Sequence, residues 1–136
     1  MFSSKAFLFT IFAAISVAVA SPVKPGTDAS VTVEVCTGSA NPPNGCVNVP
    51  AVSDSCVNLT GGLSFLNKEI SNAVIPGGFI CTFFEDFGCL GIGTGNGGTD
   101  QEVVLTQGTW DFFNVPGLAG PTDFNDLTSS FSCSPL

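Results

Sequence analysis

The chain has no histidine and no tyrosine, and its three basic residues are Lys5, Lys24 and Lys68, so arginine is missing as well. Each absence removes a class of chemistry. Without histidine there is no Ser-His-Asp triad, no Cys-His pair and no imidazole metal ligand. Without arginine, and with so few lysines, the chain cannot neutralise a run of phosphates, which argues against nucleic acid as a partner. The same shortage argues against binding to an anionic membrane. No apolar run after residue 20 is long enough to span a bilayer. Acidic residues, by contrast, number 11, and the formal net charge is −8. That balance favours cations or basic surfaces as partners, or does no more than keep the chain soluble.

What is present points outside the cell. Residues 1–20 carry the marks of a signal peptide: Lys5 near the start, an apolar stretch from Ala6 to Val19, and the small-x-small site Ala18-Val19-Ala20. The stretch is short for a membrane anchor. Residues 21–30, rich in proline, glycine and serine, read as a flexible leader. Residues 31–136 then suit a single domain. All six cysteines, Cys36, Cys46, Cys56, Cys81, Cys89 and Cys133, fall in it. An even number in a small secreted chain implies three disulfides. A metal-thiolate centre would need a reducing compartment and closer spacing.

The pattern along the domain is one of short strands. Val31, Val33 and Val35 alternate with Thr32 and Glu34. Further strands are expected at 46–52, 55–59, 79–84, 103–106, 109–115 and 128–133, with loops at 40–45 and 116–123. A helical turn is expected around 63–68. The glycine-rich stretch 91–99 should hold no regular structure. Turn signals every few residues point to an all-β, two-sheet sandwich. Two similar halves are visible, about 31–76 and 77–136, if Cys36 is laid on Cys81, Cys46 on Cys89, Cys56-Val57-Asn58-Leu59 on Trp110-Asp111-Phe112-Phe113, and Ser71 on Ser129. The phenylalanines, among them Phe79, Phe83, Phe84, Phe87, Phe112, Phe113, Phe124 and Phe131, are expected mostly in the core. The consecutive pairs Phe83-Phe84 and Phe112-Phe113 should send one ring to each face.

Asn125-Asp126-Leu127-Thr128-Ser129-Ser130 concentrates an amide, a carboxylate and hydroxyls in one turn, the hard oxygens that Ca²⁺ selects. The same residues also suit an ordinary strand-entry turn. Asn67-Lys68-Glu69-Ile70-Ser71-Asn72 is a degraded copy. Glu85-Asp86 is too exposed a hairpin pair for a glycosidase, and Gly91, Gly93 and Gly95 lack the lysine and helix of a phosphate loop. Asn58-Leu59-Thr60 is an N-glycosylation sequon.

Two segments carry a resemblance. Phe84-Glu85-Asp86-Phe87-Gly88-Cys89-Leu90-Gly91 resembles the folded hairpin of the βγ-crystallin family, with Cys89 in its second aromatic slot and Gly91 supplying a left-handed residue. Residues 125–130 match that family's calcium segment at every position. The likeness to small secreted fungal members spans roughly residues 31–133 and is better in the second half. It implies two Greek-key motifs, each lending a strand to the other's sheet, and Cys81 and Cys133 on neighbouring strands. It implies one weak Ca²⁺ site, at ~10⁻⁴–10⁻³ M, from Asp126, the Leu127 carbonyl and Ser129. Asn125 and Ser130 would support it, and a carbonyl from residues 39–45 would complete it. The second site, with Asn67 and Ser71 and paired with Glu85-Asp86, is expected to be weak or dead because Lys68 brings an ammonium where a ligand should stand.

The expected role is therefore non-enzymatic: a structural or interaction protein outside the cell, with Ca²⁺ and an extracellular or cell-wall component as partners. The alternative on the same fold is a secreted effector, a killer-toxin-like or antimicrobial protein, or a protease inhibitor. The strong acidity weighs against the toxin reading.

Overall fold

The structure, a computed structural model, describes residues 29–91, 101–118 and 120–136. The expected signal peptide, most of the expected leader and most of the glycine-rich stretch lie outside the described residues. The elements in chain order are β1 (Ser30–Cys36), β2 (Cys46–Val52), β3 (Val57–Asn58), a 3₁₀ turn (Gly61–Leu66), β4 (Asn72–Ile75), β5 (Phe79–Phe84), β6 (Glu102–Leu105), β7 (Gly108–Asp111), β8 (Val115–Gly117), β9 (Gly120–Thr122) and β10 (Ser130–Pro135). The domain is all-β, as its alternating apolar pattern requires.

Two four-stranded antiparallel sheets carry the fold, ordered β2-β1-β4-β7 and β3-β10-β5-β6. Each sheet is completed by a strand from the other half. β7, from the second half, pairs with β4, and β3, from the first, pairs with β10. The two orders are the same order when the halves are exchanged. Individual hydrogen bonds repeat in the same way. The Lys68 N–H donates to the Thr128 carbonyl at 2.9 Å, and the Asp126 N–H to the Ile70 carbonyl at 3.1 Å. The Ser71 N–H donates to the Cys36 carbonyl at 2.9 Å, and the Ser129 N–H to the Phe84 carbonyl at 2.8 Å. The Phe112 N–H donates to the Ser71 carbonyl, and the Leu59 N–H to the Ser129 carbonyl. Lys68 and Asp126 both adopt left-handed backbone, at φ 60 and 59. A pseudo-twofold therefore relates Cys36 to Phe84, Leu59 to Phe112, Lys68 to Asp126, and Ser71 to Ser129.

One core lies between the sheets. Val31, Val33 and Val35 of β1 meet Phe83 and Cys81 of β5, Phe131 of β10, and Phe112 and Phe124. Phe83 stacks on Phe131 at 5.2 Å and presents an edge to Phe112 at 5.0 Å. Burying each ring is worth about 1.5–3 kcal/mol. The disulfides are Cys36–Cys46, Cys56–Cys89 and Cys81–Cys133. The last joins residues directly opposite in β5 and β10, as expected. Cys56–Cys89 ties the first half's exchanged strand to the second half's hairpin.

Several expectations need correction. The Ser71–Ser129 overlay holds, but the cysteine overlays do not. Cys36 corresponds to Phe84, not Cys81, and Cys46, opposite Cys36, corresponds to Glu102, opposite Phe84, not Cys89. Val57 corresponds to Trp110, one place away from the expected match. The loops between the first two strands differ in length, 37–45 against 85–101, which carries the counterpart of Cys46 past Cys89, whereas Cys36 and Cys81 precede these loops and differ in register, opposite Asn72 and Cys133. The strand expected over 109–115 stops at Asp111, whose carboxylate accepts the Phe113 N–H at 3.0 Å and whose carbonyl accepts the Asn114 N–H. The expected loop 116–123 contains the β8–β9 ribbon, with Pro116 opposite Pro121. As a two-stranded ribbon it tolerates prolines that a sheet interior would not.

Candidate functional site

Residues opposite one another in an antiparallel pair share a face. Phe83 and Phe131 point into the core, so Phe84, Ser130 and Asn58 point out. The loop after β5 folds back over that outer face. The Ser130 hydroxyl donates to the Asp86 carbonyl at 2.6 Å and accepts the Cys89 N–H at 2.9 Å. Asn58 Oδ1 accepts the Gly88 N–H at 2.7 Å. This cover buries Phe84 to 7 % exposure. Phe83 and Phe84 thus take opposite faces, as expected, but the covering loop buries the outward ring as well; Phe112 is buried and Phe113 is 58 % exposed. Phe87 is also exposed. The left-handed residues of this hairpin are Gly88 and Cys89, at φ 81 and 52, not Gly91. At Gly91 an added Cβ would run into the Glu102 carboxylate.

The first half repeats the device with other groups. Asn72, the counterpart of Ser130, donates from Nδ2 to the Gly38 carbonyl at 2.7 Å. The Cys36–Cys46 disulfide closes the same loop.

The two calcium-like segments meet where the halves cross. The segment at 67–72 lies against the Glu85-Asp86 hairpin, where the resemblance would place it, and the contact is made by the side chain expected to spoil it. The half-buried Lys68 donates from Nζ to the Glu85 carbonyl at 2.5 Å and to the Leu127 carbonyl at 2.7 Å. The Leu127 carbonyl, assigned above to a site with Asp126 and Ser129, is therefore held by an ammonium. Ser130, assigned a supporting role there, has its hydroxyl committed to the 85–89 loop. Ser129 and Ser71 are buried, and their backbone groups tie the strand crossings. The Asp126 side chain is exposed. Asn125 Oδ1 and its counterpart Asn67 Oδ1 are buried without a hydrogen-bond partner, as is Thr128 Oγ1.

Sequence reasoning took Lys68 as an obstacle and missed its reach to two carbonyls. The signal was available in its alignment with Asp126 and in the scarcity of lysine. It also missed the bond from Asn72. Among the described residues, one trio of potential metal-ligating side chains lies within 4.8 Å, Glu34, Cys36 and Cys46. Two of its members form a disulfide and offer no thiolate. A depression of about 320 Å³ beside the β8–β9 ribbon is lined by Asn114, Val115, Pro116, Gly117, Gly120 and Pro121, none of which is titratable. No helix among the described residues is long and apolar enough to cross a membrane. Comparison with protein-family models, with curated proteins and with solved structures gives no match.

Proposed function

We propose that the chain is a secreted, non-enzymatic module of βγ-crystallin type, built from two Greek keys and serving a structural or binding role outside the cell. The observation that carries this reading is the reciprocal exchange of β3 and β7 between two sheets of identical order. Hairpins folded over both outer faces support it, as does the repeated segment at 67–72 and 125–130. Three disulfides and the lack of a membrane-spanning helix among the described residues are compatible with secretion.

The calcium component of the proposal rests on the Asn125-Asp126 end of the second segment. Asp126 brings a carboxylate, and the neighbouring Asn125 Oδ1 is a buried oxygen without a donor. Both are hard donors suited to Ca²⁺. By the pseudo-twofold, the oxygens that correspond to the Glu85 and Leu127 carbonyls are those of Thr37 and Glu69, and these are the backbone groups a cation beside Asp126 would use. A single carboxylate makes the site weak, in the ~10⁻⁴–10⁻³ M range of extracellular modules. Thermal melting of the oxidised protein with Ca²⁺ or Tb³⁺ tests it. A rise in Tm that Asp126→Ala abolishes is the expected outcome. A melting curve unmoved by Ca²⁺ at about 10 mM, well above that range, would sink the calcium component.

A further inference from the structure

We propose that the Lys68 ammonium is a built-in cation. It fills the position between the halves where the Glu85 and Leu127 carbonyl oxygens converge, and it makes that junction independent of any metal. The two oxygens come from segments far apart in the chain, one after β5 and one before β10. Each carries partial negative charge toward the same point, and a positive group must stand between them. Lys68 supplies it with N–O separations of 2.5 and 2.7 Å, close to the ~2.3–2.6 Å at which Ca²⁺ takes carbonyl ligands. An ammonium has three donors and no acceptor, so it serves carbonyls as a small cation does.

The backbone supports the placement. Lys68 sits at φ 60, in a region that residues with a Cβ adopt rarely. Its own N–H donates to the Thr128 carbonyl at 2.9 Å. One residue therefore makes three bonds to the second half: two through the side chain and one through the main chain. Asp126, at the equivalent place, has the backbone bond but brings a negative side chain. The same scaffold thus carries a covalently attached cation on one side and an anionic group on the other. The clamp follows from these bonds alone and holds whatever the outcome of the calcium titration above.

The test works in the oxidised protein by thermal melting, first in EDTA, so that no metal contributes. Lys68→Met keeps the length of the stem and removes the charge. Two charge-assisted bonds are lost, and Tm should fall by about 10 °C. Equal melting of Lys68→Met and the parent in EDTA overturns the proposal. The second arm uses the Asp126→Ala background, which removes the other carboxylate. Adding Lys68→Asp there replaces the ammonium with a carboxylate beside two carbonyls, an all-oxygen donor set. This double variant should gain a Tm rise of several degrees with Ca²⁺ at about 10 mM, absent from Asp126→Ala alone. A folded double variant with no response to Ca²⁺ overturns the assignment of a cation position. If Lys68→Asp does not fold, Lys68→Met in EDTA still decides.

Discussion

The two halves share one backbone plan and differ in the chemistry that fills it. At corresponding core positions the first half places Val35, Ala73, Leu59 and Leu66, and the second places Phe83, Phe131, Phe112 and Phe124, all buried. The outer loop is held by a disulfide and one asparagine bond in the first half. In the second it is held by a serine that both donates and accepts, with a disulfide reaching into the other half. At the crossing itself, Lys68 stands against Asp126. Strand exchange thus constrains which strands pair, but not which groups satisfy the loops and the junction. Aliphatic against aromatic, disulfide against hydroxyl and ammonium against carboxylate are alternative solutions to the same local demand.

The sharpest way to break this equivalence is in the core. Phe83 packs against two other rings, Phe112 and Phe131, and should be far less replaceable than Val35. Phe83→Ala is expected to cost about 3–5 kcal/mol, because the cavity cannot collapse around stiff neighbours. Val35→Ala should cost roughly 2 kcal/mol, since fewer atoms leave. Urea unfolding measures both, and equal losses would mean that the two sides of the core are interchangeable.

Disulfides come next. Cys81–Cys133 closes a separation of 52 residues and Cys36–Cys46 one of 10. Chain entropy gives about 4 kcal/mol for the first and about 3 kcal/mol for the second. Paired alanine replacements should therefore lower stability more for Cys81/Cys133. The reverse order would show that the Cys36–Cys46 link, which closes the covering loop, holds more than its own loop length implies.

The smallest contrast lies in the outer loops. Ser130→Ala removes two hydrogen bonds, and Asn72→Ala removes one. Losses of about 2 and about 1 kcal/mol are expected. Hydrogen exchange at the Cys89 amide should accelerate in Ser130→Ala and stay unchanged in Asn72→Ala. Acceleration in both would mean that the two loops open together.

Much of the architecture was legible in the sequence because it is local. Period-two alternation marks β1, and glycine and proline mark most of the breaks. The paired segments at 67–72 and 125–130 mark the repeat, and Ser71 and Ser129 do correspond. The Cys46 overlay failed because the loops before it are unequal, and the Cys36 overlay failed because a shared residue type does not fix register within a strand: its counterpart is Phe84, not Cys81. The strand over 109–115 failed because one Asp111 side chain redirects the backbone, which alternation alone does not reveal. Burial of Phe84 depends on a loop folding over the sheet, and no pattern within β5 records that.

By itself the sequence determined an all-β domain with three disulfides and no imidazole chemistry, because strand periodicity, cysteine parity and residue absence are properties of composition and short range. Only the tertiary structure decided that Lys68 serves the Glu85 and Leu127 carbonyls. That contact joins groups far apart in the chain: β5 and β10 pair to bring the two carbonyls together, and the packing of the first half against them delivers Lys68. Until the pairing of β5 with β10 brings two backbone dipoles to one point, the lysine has no cation position to fill.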